Sequence, residues 1–199
     1  MAKYRGITDA RGRVPMNYGA HTILTVSADC CLIEDNPTYN SEGDNLLDVR
    51  GLNAQNRHSI VRFDFSSIAG RRVLHASLQM YCSAISTAYG TNRIQTHPMT
   101  ENGIFVSAQV TWNIYATASN WSSAGGTYDT ATAYKSVVPA PLAVGWWSGN
   151  VTPTAQRLVT QGSASGEILL RAVTENGADA MVRFSDSDVN PCELHLWTM

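Results

Sequence analysis

The clearest hydrophobic rhythm in the chain runs from Arg57 to Ser83, RHSIVRFDFSSIAGRRVLHASLQMYCS. Val61, Phe63 and Phe65 fall on one face of an extended strand, and Ile60, Arg62 and Asp64 on the other. Leu74, Ala76, Leu78, Met80 and Cys82 then alternate with His75, Ser77, Gln79 and Tyr81. Ser66 to Gly70 supplies turn chemistry, so the stretch reads as a hairpin at the centre of the core. Arg62 and Asp64 share the face opposite the phenylalanines. If that face is covered the two must be paired, because an unpaired buried charge is very costly, and they are read as a structural clasp.

The same pattern recurs along the chain. Thr22–Val26 and Cys31–Ile33 read as strands flanking Ala28 and Asp29, and further strands are predicted at Asn45–Val49, around Arg93–His97, and at Glu167–Val173, Met181–Phe184 and Cys192–Trp197. Thr152 followed by Pro153 is a helix start, a hydroxyl cap before a proline whose missing N–H costs nothing there. Ala155, Leu158 and Val159 give a helical stripe and Gly162 a stop, predicting a short helix over 153–161. Residues 100–135 are polar and rich in Gly, Ser and Thr, and read as long loops that carry function or contact a partner. Many short strands with one helical insertion predict an all-β fold, a jelly-roll-like antiparallel sandwich over residues 21–199.

Composition refines this picture in two places. Residues 1–20 hold Lys3, Arg5, Arg11 and Arg13 against the single acid Asp9, a local net charge of +3 in a chain whose total is −2. With Gly6, Gly12, Pro15 and Gly19 interspersed, this stretch reads either as a solvated tail or as an extended basic arm whose arginines make subunit contacts. The overall balance shows no basic face, which argues against nucleic acid as a partner. No apolar run reaches membrane-spanning length, and the first residues lack the apolar core of a secretory signal, so the expectation is synthesis in the host cytoplasm without export. Four cysteines without a C-x-x-C pair read as buried free thiols, with a Cys82–Cys192 bridge open only to neighbouring strands.

In order along the chain, Ala28-Asp29, Asn36-Pro37, Asn40-x-x-Gly43, Ile60 to Ser66 (IVRFDFS), Val110 to Asn113 (VTWN), Trp121 and Gly125-Gly126 resemble the motifs of the DNRLRE-type β-sandwich modules. These are akin to carbohydrate-binding jelly rolls. The resemblance spans residues 28–198, while the string that names the family is absent and the segment after Gly126 diverges. It implies an accessory module that binds polysaccharide or serves a structural role, with Trp112 and Trp121 as loop anchors packed on the sandwich.

No catalytic motif is present: Gly162 to Gly166 places Ala164 where a nucleophile elbow needs serine, and the histidines show no metal-ligand spacing. The chain is read as no enzyme; a polysaccharide-active enzyme stands third. Sugar binding asks for exposed rings, and Trp146, Trp147 and Tyr128 are the candidates, with the adjacent tryptophans expected on opposite faces of a strand. Asp29, Glu34 and Asp44, with Asp35 and Asp48, form an acidic cluster read first as solvated loop, and alternatively as a structural calcium site. The favoured function is a non-enzymatic bacteriophage virion protein, a capsid decoration or a tail or fibre component on the particle surface. It would associate with other coat subunits as a homo-oligomer and could touch host glycans. The alternative is an extracellular carbohydrate-binding module or adhesin.

Overall fold

The computed structural model describes residues 19–86, 93–100, 105–175, 177, 179–186 and 188–199. The basic residues Lys3, Arg5, Arg11 and Arg13 lie outside the described residues. The strands are β1 (Ala20–Ile33), β2 (Leu46–Gly51), β3 (Arg57–Asp64), β4 (Val73–Ile85), β5 (Arg93–Pro98) and β6 (Ile114–Ala116). They continue with β7 (Ser119–Asn120), β8 (Ser136–Pro139), β9 (Gly145–Asn150), β10 (Ser165–Ala172), β11 (Ala180–Ser185) and β12 (Glu193–Thr198). The α-helix α1 spans Thr152–Gln161.

The long strand β1 sets the architecture. Ala20 to Thr25 pair antiparallel with β12, while Ala28 to Ile33 pair antiparallel with β3. The register shifts between Val26 and Ala28, and this irregularity lets one strand serve two layers. One layer runs β1-β3-β10-β5-β8. The other runs β1-β12-β4-β9, and the paired strands β2 and β11 close the remaining side by linking β3 to β4. The fold is an all-β antiparallel sandwich that closes on itself like a barrel.

Between the layers, Val61 and Phe63 of β3 and Ile168 and Leu170 of β10 join one core with Leu78 and Met80 of β4 and Leu194 and Leu196 of β12. Burial of each such side chain contributes roughly 1.5–3 kcal/mol before entropy is counted. A second cluster lies on the outer side of β3 and β10, where Ile60 and Leu169 meet Phe105, Val110, Trp112 and Trp121. The 105–128 segment is therefore a loop packed as a cover, carrying the small β6–β7 hairpin, with Trp112 and Trp121 buried as its anchors.

The predicted hairpin is also corrected. β3 pairs with β1, β10 and β2, whereas β4 pairs with β12, β11 and β9. Their connection is a 3-10 turn, Ser66–Ile68, with Phe65 and Ile68 both buried. Two large apolar side chains in the link drive it across the core, so it arches between layers.

The helix begins at Thr152, one residue before the predicted start, and no side chain caps it. The Thr152 hydroxyl instead accepts the Ala76 amide at 2.9 Å and donates to Asn150 at 2.8 Å, tying α1 to β4. Gly162 closes the helix with φ +72°, in the left-handed region where glycine carries no Cβ penalty. β8 went unrecognised in the sequence.

All four cysteines are free and buried. β4 and β12 are neighbours, but Glu193 stands opposite Gln79, which leaves Cys82 three residues further along. Burial pushes the Cys31 thiol up to about 12 and raises those of Cys30 and Cys192 well above the ordinary range, so none is a ready nucleophile at neutral pH.

Candidate binding face

Because inward residues of the second layer are apolar, its outward positions can be mapped from the strand registers. Four rows cross the layer. The first is His21, Trp197 and His75; the second is Ile23, His195, Ser77 and Asn150. The third is Thr25, Glu193, Gln79 and Ser148, and the fourth is Tyr81 beside Trp146. Rows two residues apart along a strand lie about 6.8 Å from one another, so the face extends roughly 20 Å from His75 to Tyr81.

The two ends of this face differ. At one end Trp197 is enclosed by imidazoles, with His21 stacked at 4.5 Å and His75 tilted at 5.1 Å between ring centroids. His195 accompanies them at 6.4 Å and contacts Glu193 at 2.8 Å. Partial burial, and then the proximity of His195, holds the His21 imidazole below its ordinary pKa. At the other end Trp146 is 61% exposed and lies in a T-shaped arrangement with Tyr81, 5.7 Å between ring centroids. A cleft of about 400 Å³ adjoins it, lined in part by Leu142, Val144 and Trp146. Leu142 is 90% exposed and Val144 59%.

Trp147, the other half of the pair, turns inward at 8% exposure and donates its indole N–H to the Pro139 carbonyl at 2.9 Å. It packs on Phe184, so the ligand-binding candidate at this position is corrected to a core residue. Period-two geometry puts the two neighbours on opposite faces. Tyr128 does not join Trp146. It packs over the outer side of the first layer, where Arg171 donates to its hydroxyl and His97 lies 4.6 Å from its ring.

On that covered side the charged groups serve structure. Arg62 donates to Glu167 at 2.7 Å and to the Phe105 carbonyl at 2.8 Å, with its guanidinium 4.0 Å above the Phe105 ring. The expected Arg62–Asp64 clasp is thereby corrected. Residues i and i+2 of one strand sit a full pleat apart, whereas Glu167 stands directly opposite Arg62 on β10. Asp64 is exposed; hydrogen bonding from the Ser66 side chain, and then from the Ser66 amide at 2.8 Å, holds its carboxyl below the usual range.

The cover itself is latched by His58. One ring nitrogen faces the Gly125 carbonyl at 2.7 Å and the other faces Glu175 at 2.6 Å. Burial raises the Glu175 carboxyl, but hydrogen bonds and charge from His58 and Arg171 outweigh it and leave it ionised below the ordinary range. Trp112 is buried 4.8 Å from the His58 ring, and Trp121 donates to the Thr111 carbonyl at 3.0 Å. Gly125 has φ +83°, and a Cβ there would lie 2.8 Å from the Trp112 ring, so the cover closes only over a glycine.

The acidic candidates are dispersed. Asp29 lines a small hollow of about 190 Å³ with Asp186 and Asp188, Glu34 accepts from Asn56 at 2.7 Å, and Asp44 accepts from Tyr39 at 2.8 Å. Asp48 is buried between Arg57 at 2.6 Å and Arg183 at 2.7 Å. Among the described residues no group of three or more His, Cys, Asp or Glu is placed to hold a metal ion.

Sequence reasoning missed Trp197 with His21, His75 and His195. Their signal was the alternation of His75 and of His195 and Trp197 within otherwise apolar strands. A scan against protein-family models and a search of curated proteins both found no match to this chain. No described helix is long and apolar enough to cross a membrane.

Proposed function

We propose that the chain is a non-enzymatic structural protein of a bacteriophage particle, a capsid decoration or a tail or fibre component built on a sandwich akin to carbohydrate-binding modules. The observation that carries this reading is the Leu142–Val144–Trp146 ledge, a strongly exposed apolar surface within a segment, Ser136 to Gln156, that contains no charged residue. Such a surface suits contact with protein. The buried ion pairs support it from the other direction, because Arg62–Glu167 and Arg57–Asp48–Arg183 are engaged in holding strands together. The basic stretch of residues 1–20 supplies subunit contacts on this reading.

Particles purified by density gradient should contain the chain in fixed stoichiometry. Deleting residues 1–20 should abolish incorporation while leaving a folded sandwich. Particles lacking the full chain would overturn the reading, and normal incorporation of the shortened chain would overturn the role of the basic stretch.

A second reading is favoured by the exposed ring of Trp146, which is followed along one face by the polar side chains of Ser148, Gln79 and Asn150. An aromatic platform with nearby amides and hydroxyls suits a surface polysaccharide. Glycan-array binding lost in Trp146→Ala would support it; an array that the native chain leaves blank would end it.

A further inference from the structure

The edge of the second layer points to a specific occupant. β9 pairs with β4 in unbroken register from Ser77–Asn150 to Cys82–Gly145, and among the described residues no strand pairs with its other edge. An exposed edge is a template for another strand, and proteins ordinarily blunt it with lysine, proline, a bulge or extreme shortness. β9 has none of these over its six residues, GWWSGN. β8, the last strand of the first layer, has four residues and ends in Pro139. The two open edges are therefore treated differently, and the unguarded one carries the exposed tryptophan.

We propose that two copies of this chain join edge to edge through β9, about a two-fold axis centred on Trp147. The proposal rests on the structural reading above and names the surface on which its subunits meet. Three features favour a second copy over another occupant. A two-fold brings every group at the axis against its own like, and a segment without charge from Ser136 to Gln156 suffers no repulsion there. Antiparallel pairing of a strand with itself matches length and pleat automatically. The ledge of Leu142 and Val144 beside the strand gives each copy an apolar surface to bury.

The pleat limits the register. Residues directly opposite in an antiparallel pair point to the same face, so Trp146 can face only an outward residue. Centred on Trp147, the pairing sets Gly145 against Gly149 and Trp146 against Ser148 of the second copy. The outward faces then lie on one side of a continuous eight-stranded sheet, with the two Trp146–Tyr81 stations flanking the seam.

Sedimentation equilibrium of the full chain tests this. The native chain should dimerise reversibly at micromolar concentration, on the scale of roughly 8 kcal/mol. In W146K/S148K each lysine faces a lysine, and the dimer should weaken by about 100-fold or more, with circular dichroism unchanged and melting unchanged when both chains are measured as monomers at high dilution. W146E/S148E should behave the same way. An equimolar mixture of the two variants should re-form a dimer, because in this register each lysine meets a glutamate.

A native chain that stays monomeric at about 100 μM, far above that dissociation constant, overturns the interface. So does a lysine variant that still dimerises, a mixture that remains monomeric, or a dimer seen only after polysaccharide is added. If the chain is found in particles yet is monomeric in solution, the interface fails alone. If it dimerises as described but is absent from particles, the structural reading fails alone.

Discussion

The outer sides of the two layers have been built to opposite ends. On the first layer, Phe105, Trp112 and Trp121 cover β3 and β10, and the polar groups beneath are paired, Arg62 with Glu167 and His58 with Glu175. On the second layer, the same kinds of residue have no such cover among the described residues, with Trp197 half-buried among three histidines and Trp146 exposed beside Tyr81. Aromatic and titratable side chains thus hold the fold on one side and are available for recognition on the other. Residue type does not distinguish the roles; what lies above the strand does.

Breaking a matched pair on the covered side should have the largest effect. Glu167→Ala leaves Arg62 beside a deleted partner in a closed environment and should cost about 3–5 kcal/mol, read from urea unfolding. A cost under about 1 kcal/mol would mean that water reaches the pair as it does at a surface bridge.

Acid should separate the two sides next. Burial pushes His97 down to about 4 from an ordinary 6.5, so its neutral form is favoured in the fold. A depressed histidine contributes stability that is present above 6.5 and lost as pH falls from 6.5 towards 4, because the unfolded chain takes up the proton first. The depressed Glu175 adds a loss at still lower pH, as its carboxylate is protonated. The melting temperature should therefore decline across that window, and His97→Gln should flatten the decline. An unchanged slope would remove His97 from the account.

The smallest expected effect belongs to Trp146→Ala. Measured on the monomer, for instance at high dilution, it should change unfolding free energy by no more than about 0.5 kcal/mol, as surface substitutions do. A loss approaching the ~3–5 kcal/mol of a core tryptophan would show that the open side is also structural.

Much of the fold was legible because period-two patterns report faces. They placed β3, β4, β10, β11 and β12 within one or two residues, and they separated Trp146 from Trp147. They do not report partners. Val61 and Phe63 face the same core whether β4 pairs with β3 or lies across from it, which is why the arch at Ser66–Ile68 read as a hairpin. The Arg62 pairing failed for the same reason. Its partner is fixed by the β3–β10 register, and the available clue was a lone acid in the apolar run Gly166 to Leu170. Asp48, alone in Leu46 to Val49, carries the same clue and is held by two arginines. The candidate face was illegible as a whole, since it assembles β1, β12, β4 and β9 from four distant parts of the chain.

The register shift in β1 has a mechanical consequence. Ala20 and Thr198 pair at the open end of the β1–β12 ladder, so Gly19 and Met199 emerge side by side. Tension between those two points loads the ladder like a zipper, one pair after another, each worth only about 1 kcal/mol. Tension drawn along β1 instead is shared by all the rungs on both of its halves, first against β12 and then, past the Val26–Ala28 shift, against β3. The sandwich is thus compliant to traction that separates its paired ends and stiff to traction along β1.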